Sequence, residues 1–161
     1  MHEESKNFNS IEQLAVIEEI IADIYSAYAA TIPDFTDFWN EISVEELHHA
    51  SWVRSLLHLY QAGTIYIEEN RFSLDTILTF QTYLRDLLAD ARKGKTTVIG
   101  ALSVARDLEG TLAESSFHQV FATDAREVGE LLNRLRHSTE MHVERIENKW
   151  QEYLKTSAGN G

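Results

Sequence analysis

Residues 35–60 read FTDFWNEISVEELHHASWVRSLLHLY, and this stretch decides the fold class. Its apolar residues recur every three or four positions, which is the spacing of one face of an α-helix. Two polar residues, Glu46 and His49, interrupt that face in its middle. Because they are three residues apart, both lie on the side of the helix that also carries Ile42 and Val53. The stretch therefore predicts an amphipathic helix with a carboxylate and an imidazole on its buried side.

A second Glu-x-x-His pair, Glu45 and His48, lies one step around the same helix. The apolar neighbours favour Glu46 and His49 over Glu45 and His48 as the inward pair. Such pairs are also common on acidic surface helices, so a solvated face is the alternative for the first pair.

Helical periodicity extends over most of the chain. The predicted helices cover residues 10–31, 34–62, 73–93, 96–121 and 124–154. Pro33, Gly63 and Gly94 end helices, while Ser10 and Asp124 are candidate N-caps. With 161 residues, one proline and no linker-like segment, the sequence predicts a single all-α domain spanning residues 1–161.

The helix at 73–93 needs a place in this fold. If the helices at 34–62 and 96–121 run parallel, the chain must return along the full length of a bundle between them. Twenty helical residues at about 1.5 Å each span roughly 30 Å, which is enough for that return. The sequence therefore predicts a four-helix bundle with a helical crossover between its second and third helices.

Composition excludes several classes of function. The chain has no cysteine, which excludes disulfides, thiolate zinc sites and cysteine-ligated iron–sulfur clusters. A net charge of −12 with scattered Lys and Arg argues against a nucleic-acid surface. No apolar stretch approaches the roughly 18 residues of a membrane span, and we expect a cytoplasmic protein. Neither a phosphate-binding loop nor a nucleophile motif is found.

Metal-capable side chains lie in the middle of the apolar stripe on four predicted helices. These candidate metal ligands are Glu18, Glu46, His49, Glu109 and His142. Burying an unpaired carboxylate costs several kcal/mol, so several converging carboxylates indicate a cation among them. The alternatives are an ion pair across the bundle for Glu18 and, for His142, a core histidine bonded to Thr139 or a tyrosine. The other histidines, His48, His58, His118 and His137, are expected at the surface or rim.

These residues give the chain a resemblance to the ferritin-like di-iron carboxylate proteins, and in particular to the erythrin-type domain of the rubrerythrin family. Residues 45–50, EELHHA, are similar to the second-helix signature of that family, and Glu18 followed by YSAYA at 25–29 is similar to its first helix. The weaker matches are Ala101, Ala105, Leu108 and Glu109 on the third helix and Leu132, Leu135 and His142 on the fourth. The resemblance covers about residues 10–150.

The resemblance implies an iron protein with one or two ions, manganese or zinc being alternatives, that reacts with peroxide or dioxygen and takes electrons from an external donor. Tyr25, Tyr28 and Thr139 are then possible neighbours of the metal. Two departures stand out: Thr139 replaces the glutamate expected three residues before His142, and Leu112 replaces an additional glutamate. The chain also lacks the cysteines of a rubredoxin-type domain.

Three functions are compatible with this sequence. The first is a rubrerythrin-like oxidoreductase or peroxidase. The second is a non-catalytic iron-binding or storage module, and the third is a metal-free helical scaffold that acts through its surface. A homodimer is the expected assembly, and no nucleic-acid or membrane partner is expected.

Overall fold

The computed structural model describes residues 2–67, 73–115 and 121–159. Over these ranges the chain forms the following helices: α1 (His2–Thr31), α2 (Thr36–Gln61), α3 (Leu74–Arg92), α4 (Val98–Ser115) and α5 (Arg126–Ala158). A 3-10 turn at Pro33–Phe35 precedes α2. Two strands of two residues each, β1 (Tyr66–Ile67) and β2 (Phe121–Ala122), form an antiparallel ladder with Tyr66 opposite Ala122. The predicted all-α fold class is confirmed.

Several predicted helix ends were wrong. α1 begins at His2 rather than residue 10, so Ser10 lies inside the helix and is not its cap. The first residues of α1 are polar and carry no apolar stripe, which hid them from an argument based on periodicity. Ala125 is the N-cap of α5 in place of Asp124, and α5 continues to Ala158. The predicted end of the helix at 96–121, with Ser116, His118 and Val120, lies outside the described residues.

Other helix ends follow the sequence signals. Gly63 and Gly94 have φ angles of 71° and 66°, a left-handed conformation in which glycine carries no Cβ penalty, and they follow α2 and α3 directly. Ser73 caps α3, because its hydroxyl oxygen accepts a hydrogen bond of 3.1 Å from the backbone N–H of Thr76.

Side-chain contacts give the direction of each helix. In α3, Gln81 donates to the backbone oxygen of Gln13 at 2.9 Å, and farther along Arg92 lies 3.7 Å from Asp23 of α1. These contacts follow the same order in both helices, so α3 runs parallel to α1 and carries the chain back along it. The residues of α5 that contact α2, and those that contact α4, follow the opposite order along the chain. α5 is therefore antiparallel to both, and α2 and α4 are parallel to each other.

The candidate ligands lie between two clusters of buried apolar side chains. On α2, Ile42 belongs to one cluster and Val53 to the other, and on α5 Ile146 and Leu135 are divided in the same way. Glu46 falls between the two clusters on α2. Among the described residues, no helix combines the length and the apolar composition needed to cross a membrane.

Candidate metal centre

Glu46 lies at the centre of the site. It projects from the middle of α2 and is fully buried. Its Oε2 atom is 3.1 Å from His49 Nδ1 on the same helix, and its Oε1 atom is 2.5 Å from His142 Nδ1 on α5. The two imidazole rings face each other with centroids 4.8 Å apart. One carboxylate is therefore held between two histidines from two helices.

Glu18 and Glu109 bring α1 and α4 to the same place. Glu109 Oε2 lies 3.7 Å from His142 Nδ1, while its Oε1 accepts a 2.7 Å hydrogen bond from the Tyr25 hydroxyl. Glu18 is 2% exposed, and the charge of Glu46 helps to raise its pKa. The structure thus brings all the predicted ligands together, with side chains no more than 2% exposed. The tightest group is Glu46, His49 and His142, whose ligand atoms lie within 4.8 Å of one another.

Four atoms of this group lack a hydrogen-bond partner among the described residues. They are Glu18 Oε2, Glu46 Oε1, Glu109 Oε2 and His142 Nδ1. The close approach of Glu46 Oε1 to His142 Nδ1 is therefore an electrostatic contact that is not aligned as a hydrogen bond. A buried polar atom without a partner typically costs about 1–3 kcal/mol. Because these atoms belong to one group, a single kind of ligand, a cation, can satisfy them.

Among the candidate ligands, the pKa shifts of Glu18, Glu46 and His142 favour added positive charge, whereas that of His49 opposes it. Burial and the nearby charge of Glu46 raise the pKa of Glu18 well above its usual value. Burial and the charge of Glu109 raise the pKa of Glu46 to about 7. Burial lowers the pKa of His49. Burial also acts to lower the pKa of His142, but Glu109 and Glu46 outweigh it and raise that pKa to about 11. Without a metal ion, protons supply the positive charge.

Outside this group lies a second set of contacts that the sequence interpretation missed. Glu45 is 39% exposed, and its Oε2 lies 2.5 Å from His142 Nε2. Arg145 donates to both oxygens of Glu45, at 2.7 and 2.8 Å. Ser138 holds His49, since its Oγ is 2.7 Å from His49 Nε2.

The helical pattern favoured Glu46 and His49 over Glu45 and His48 and gave Glu45 no role, so its contact with His142 was not predicted. Burial raises the pKa of Glu45, but the hydrogen bonds with Arg145 and His142 outweigh that effect and lower it. The one available signal was Arg145 itself, a cation one helical turn after His142. The exposure predicted for His48, and for His58 and His137, is confirmed.

The predicted neighbours of the metal differ in their positions. Tyr25 contacts the group directly through Glu109. Tyr28 packs edge-on against Trp39 with ring centroids 5.1 Å apart, and no contact of the described residues links it to the candidate ligands. Burial, together with the nearby Tyr83 and Asp90 of α3, raises the pKa of Tyr28 to about 12.

Thr139 is buried, and its hydroxyl donates to the Leu135 backbone oxygen of its own helix at 3.0 Å. The adjacent Glu140 is exposed and pairs with Arg136 at 3.1 Å, so it does not replace the missing carboxylate. The site therefore has three inward carboxylates and two imidazoles.

Comparison of the chain with protein families, with curated proteins and with solved structures gave no match. Its function is therefore inferred from the side chains of the site.

Proposed function

We propose that the protein binds one or two divalent transition-metal ions, iron foremost, in the core of a rubrerythrin-like, ferritin-like helical bundle. The proposed ligands are Glu18, Glu46, His49, Glu109 and His142. The observation that carries this proposal is the set of four buried atoms without a hydrogen-bond partner, which lie on four of these residues and come from all four helices around the site. A metal ion satisfies them together, whereas no Lys or Arg of the described residues pairs with these four atoms.

The donor set supports a transition metal. Imidazole nitrogen combined with carboxylate oxygen suits iron, manganese and zinc, whereas calcium and magnesium prefer sites made of oxygen alone. Three carboxylates carry up to three negative charges, which one or two dications neutralise. Glu46, His49 and His142 are close enough to share one ion, and Glu18 and Glu109 flank them.

The arrangement of the helices supports the bundle type. α2 and α4 run parallel, and α3 carries the chain back along α1 between them, which is the connection expected of a four-helix bundle with one long crossover. The metal-capable side chains project inward from facing helices, as in di-iron carboxylate proteins.

Iron bound here supplies one-electron redox chemistry toward peroxide or dioxygen, provided that an external donor returns the electrons. The protein's own part is to fix the ligands and to exclude bulk water. Tyr25 fixes one oxygen of Glu109, Ser138 holds His49, and the apolar clusters on either side keep the group dry.

A second candidate is a module that binds iron without turnover. Two observations favour it: Thr139 occupies the position of the fourth carboxylate, and every proposed ligand is almost completely buried, which restricts the access of a substrate. The missing carboxylate would weaken metal binding most on the side of α5, because Thr139 supplies no negative ligand there.

The first test is elemental analysis of protein purified without added metal, followed by titration with Fe(II), Mn(II) and Zn(II). We expect about one or two ions per wild-type chain and loss of stoichiometric binding in the Glu46→Ala, His49→Ala double variant. The matched control is the His137→Ala, Glu140→Ala double variant, which removes an exposed pair with the same spacing on α5.

A wild-type protein that binds none of the three metals contradicts the proposal. Equal loss of binding in the control variant places the metal elsewhere. Iron-dependent consumption of peroxide by the loaded protein separates the redox function from the storage function.

A further inference from the structure

The two ring nitrogens of His142 face different surroundings. Nδ1 points into the buried group, 2.5 Å from Glu46 and 3.7 Å from Glu109. Nε2 points the other way, to Oε2 of Glu45 at 2.5 Å. The ring itself is almost fully buried, whereas Glu45 is partly exposed at the junction of α2 and α5. His142 therefore connects the candidate metal centre to a carboxylate outside it.

Glu45 is in turn held from the other side. Nη1 of Arg145 donates to both of its oxygens at 2.7 and 2.8 Å, and Nη2 of the same guanidinium donates to Glu41 at 2.9 Å. Arg145 follows His142 by three residues, so both side chains leave the same face of α5. The carboxylate of Glu45 is thereby oriented by one residue of α5 while it contacts another.

We infer that Glu45 is a positioning residue of the metal centre, which fixes His142 as an Nδ1 ligand. A neutral imidazole carries one N–H, and the nitrogen without it offers the lone pair to a metal. When a metal ion displaces the proton on Nδ1, Glu45 accepts a hydrogen bond from Nε2–H and so keeps the remaining proton on the outer nitrogen, which leaves the Nδ1 lone pair for the ion. This inference rests on the proposed metal binding and adds a residue that is not itself a ligand.

The two histidines of the site are supported unequally. His49 has a neutral hydroxyl, that of Ser138, at its outer nitrogen, whereas His142 has a carboxylate. A charged acceptor binds an N–H more strongly than a neutral one and raises the basicity of the ligand nitrogen. Glu45 thus makes His142 a stronger ligand. This compensates in part for Thr139, which supplies no carboxylate from the same helix.

A purely structural ion pair between Glu45 and Arg145 predicts a different behaviour. Partly exposed pairs contribute little to stability and have no reason to affect a metal inside the bundle. A positioning role instead predicts a loss of metal affinity that exceeds any loss of stability, with partial recovery when the acceptor is restored without its charge.

The test measures Zn(II) affinity by competition with a chromophoric chelator in wild type, Glu45→Ala, Glu45→Gln and Glu140→Gln. Removing an outer partner of a ligand histidine typically weakens metal binding about 10–100-fold, and we expect this in Glu45→Ala. Glu45→Gln retains an acceptor oxygen, so its affinity should fall between those of Glu45→Ala and wild type. Glu140→Gln removes an exposed charge that is paired with Arg136 on α5. This control variant should bind Zn(II) with the affinity of the wild type.

A second readout does not depend on affinity. In nitrogen-15 spectra of the zinc-loaded protein, His142 should show a metal-bound Nδ1 and an Nε2–H signal that exchanges slowly with water. In Glu45→Ala that signal should exchange faster. Melting curves of the metal-free variants report folding separately, and Glu45→Gln serves as the test variant if Glu45→Ala does not fold.

The outcomes separate the two proposals. If wild type binds zinc and both Glu45 variants bind it equally well, Glu45 has no positioning role while the metal site stands. Zinc bound through Nε2 of His142 in wild type also overturns the inference. If wild type binds neither zinc nor any other metal tested, the metal site fails and the inference fails with it.

Discussion

Loading the metal-free protein with Zn(II) or Fe(II) should raise its melting temperature. Binding to the folded state stabilises it by RT ln(1 + [L]/Kd), about 2.7 kcal/mol when the free metal concentration is about 100 times Kd. For a domain of this size, 1 kcal/mol corresponds to roughly 2–4 °C, so we expect a rise of about 5–10 °C. The physical source is the pairing of buried atoms that lack partners in the metal-free protein.

The size of this shift should depend on pH through Glu46. Its pKa is raised to about 7 in the folded, metal-free protein, so it must lose a proton before it binds the ion. Between about pH 7.5 and 6 its ionised fraction falls from about three-quarters to about one-tenth. Through Glu46 alone, metal affinity should then fall roughly eightfold, which removes about 1 kcal/mol of stabilisation. The raised pKa of His142, about 11, acts in the same direction.

In the metal-free protein, Glu46 makes stability change with pH in the opposite direction. A raised carboxyl pKa stabilises the fold fully below the unfolded value, near 4.5, and this contribution is lost as the pH rises through about 7. Raising the pH from about 6 to 7.5 therefore removes the contribution of Glu46 to the stability of the metal-free protein. The same rise in pH strengthens metal binding. The difference between the two melting temperatures should widen with pH.

Scanning calorimetry at about pH 6 and 7.5, with and without a chelator, measures both quantities. Elemental analysis of the same samples must confirm loading. An unchanged melting temperature in a demonstrably loaded sample refutes a core site. A shift of equal size at both pH values refutes the role assigned to Glu46, and Glu46→Gln should lose most of the shift.

Three further predictions concern other parts of the chain. Thr139→Glu should raise iron binding toward two ions per chain; titration showing wild-type capacity and affinity would remove this position from the site. Tyr25→Phe should lower stability by about 1–3 kcal/mol, because Glu109 Oε1 loses its buried donor; an unchanged urea midpoint would contradict this. Gly63→Ala should cost roughly 1 kcal/mol or more at φ 71°, whereas Gly110→Ala, with open space at its Cβ in α4, should be neutral or stabilising in the same denaturation assay.

Much of the local structure was accessible from the sequence because it depends on residues close together in the chain. The 3.6-residue period assigns each side chain to a helix face, so Glu46 and His49 were correctly predicted to be buried beside Ile42 and Val53. Gly63 and Gly94 marked two helix ends for an equally local reason, their left-handed backbone.

Local signals failed where no such pattern exists. The first turns of α1 have no apolar stripe, and their helix was missed. The sequence also could not predict which of Tyr25 and Tyr28 contacts the candidate ligands, because both are buried on the same helix. Only the position of α4 across the site from α1 brings Glu109 within hydrogen-bond distance of Tyr25.

By itself, the sequence determined the fold class and the burial of Glu18, Glu46, His49, Glu109 and His142, since both follow from periodicity within single helices. The tertiary structure alone decided which of them meet, and which atoms remain without partners. Glu45 illustrates the difference: its contact with His142 joins residues 97 apart in the chain. Helix periodicity assigns a residue to a face but does not specify how two helices are rotated and offset against each other, and that offset brings a partly exposed carboxylate to the outer nitrogen of a buried histidine.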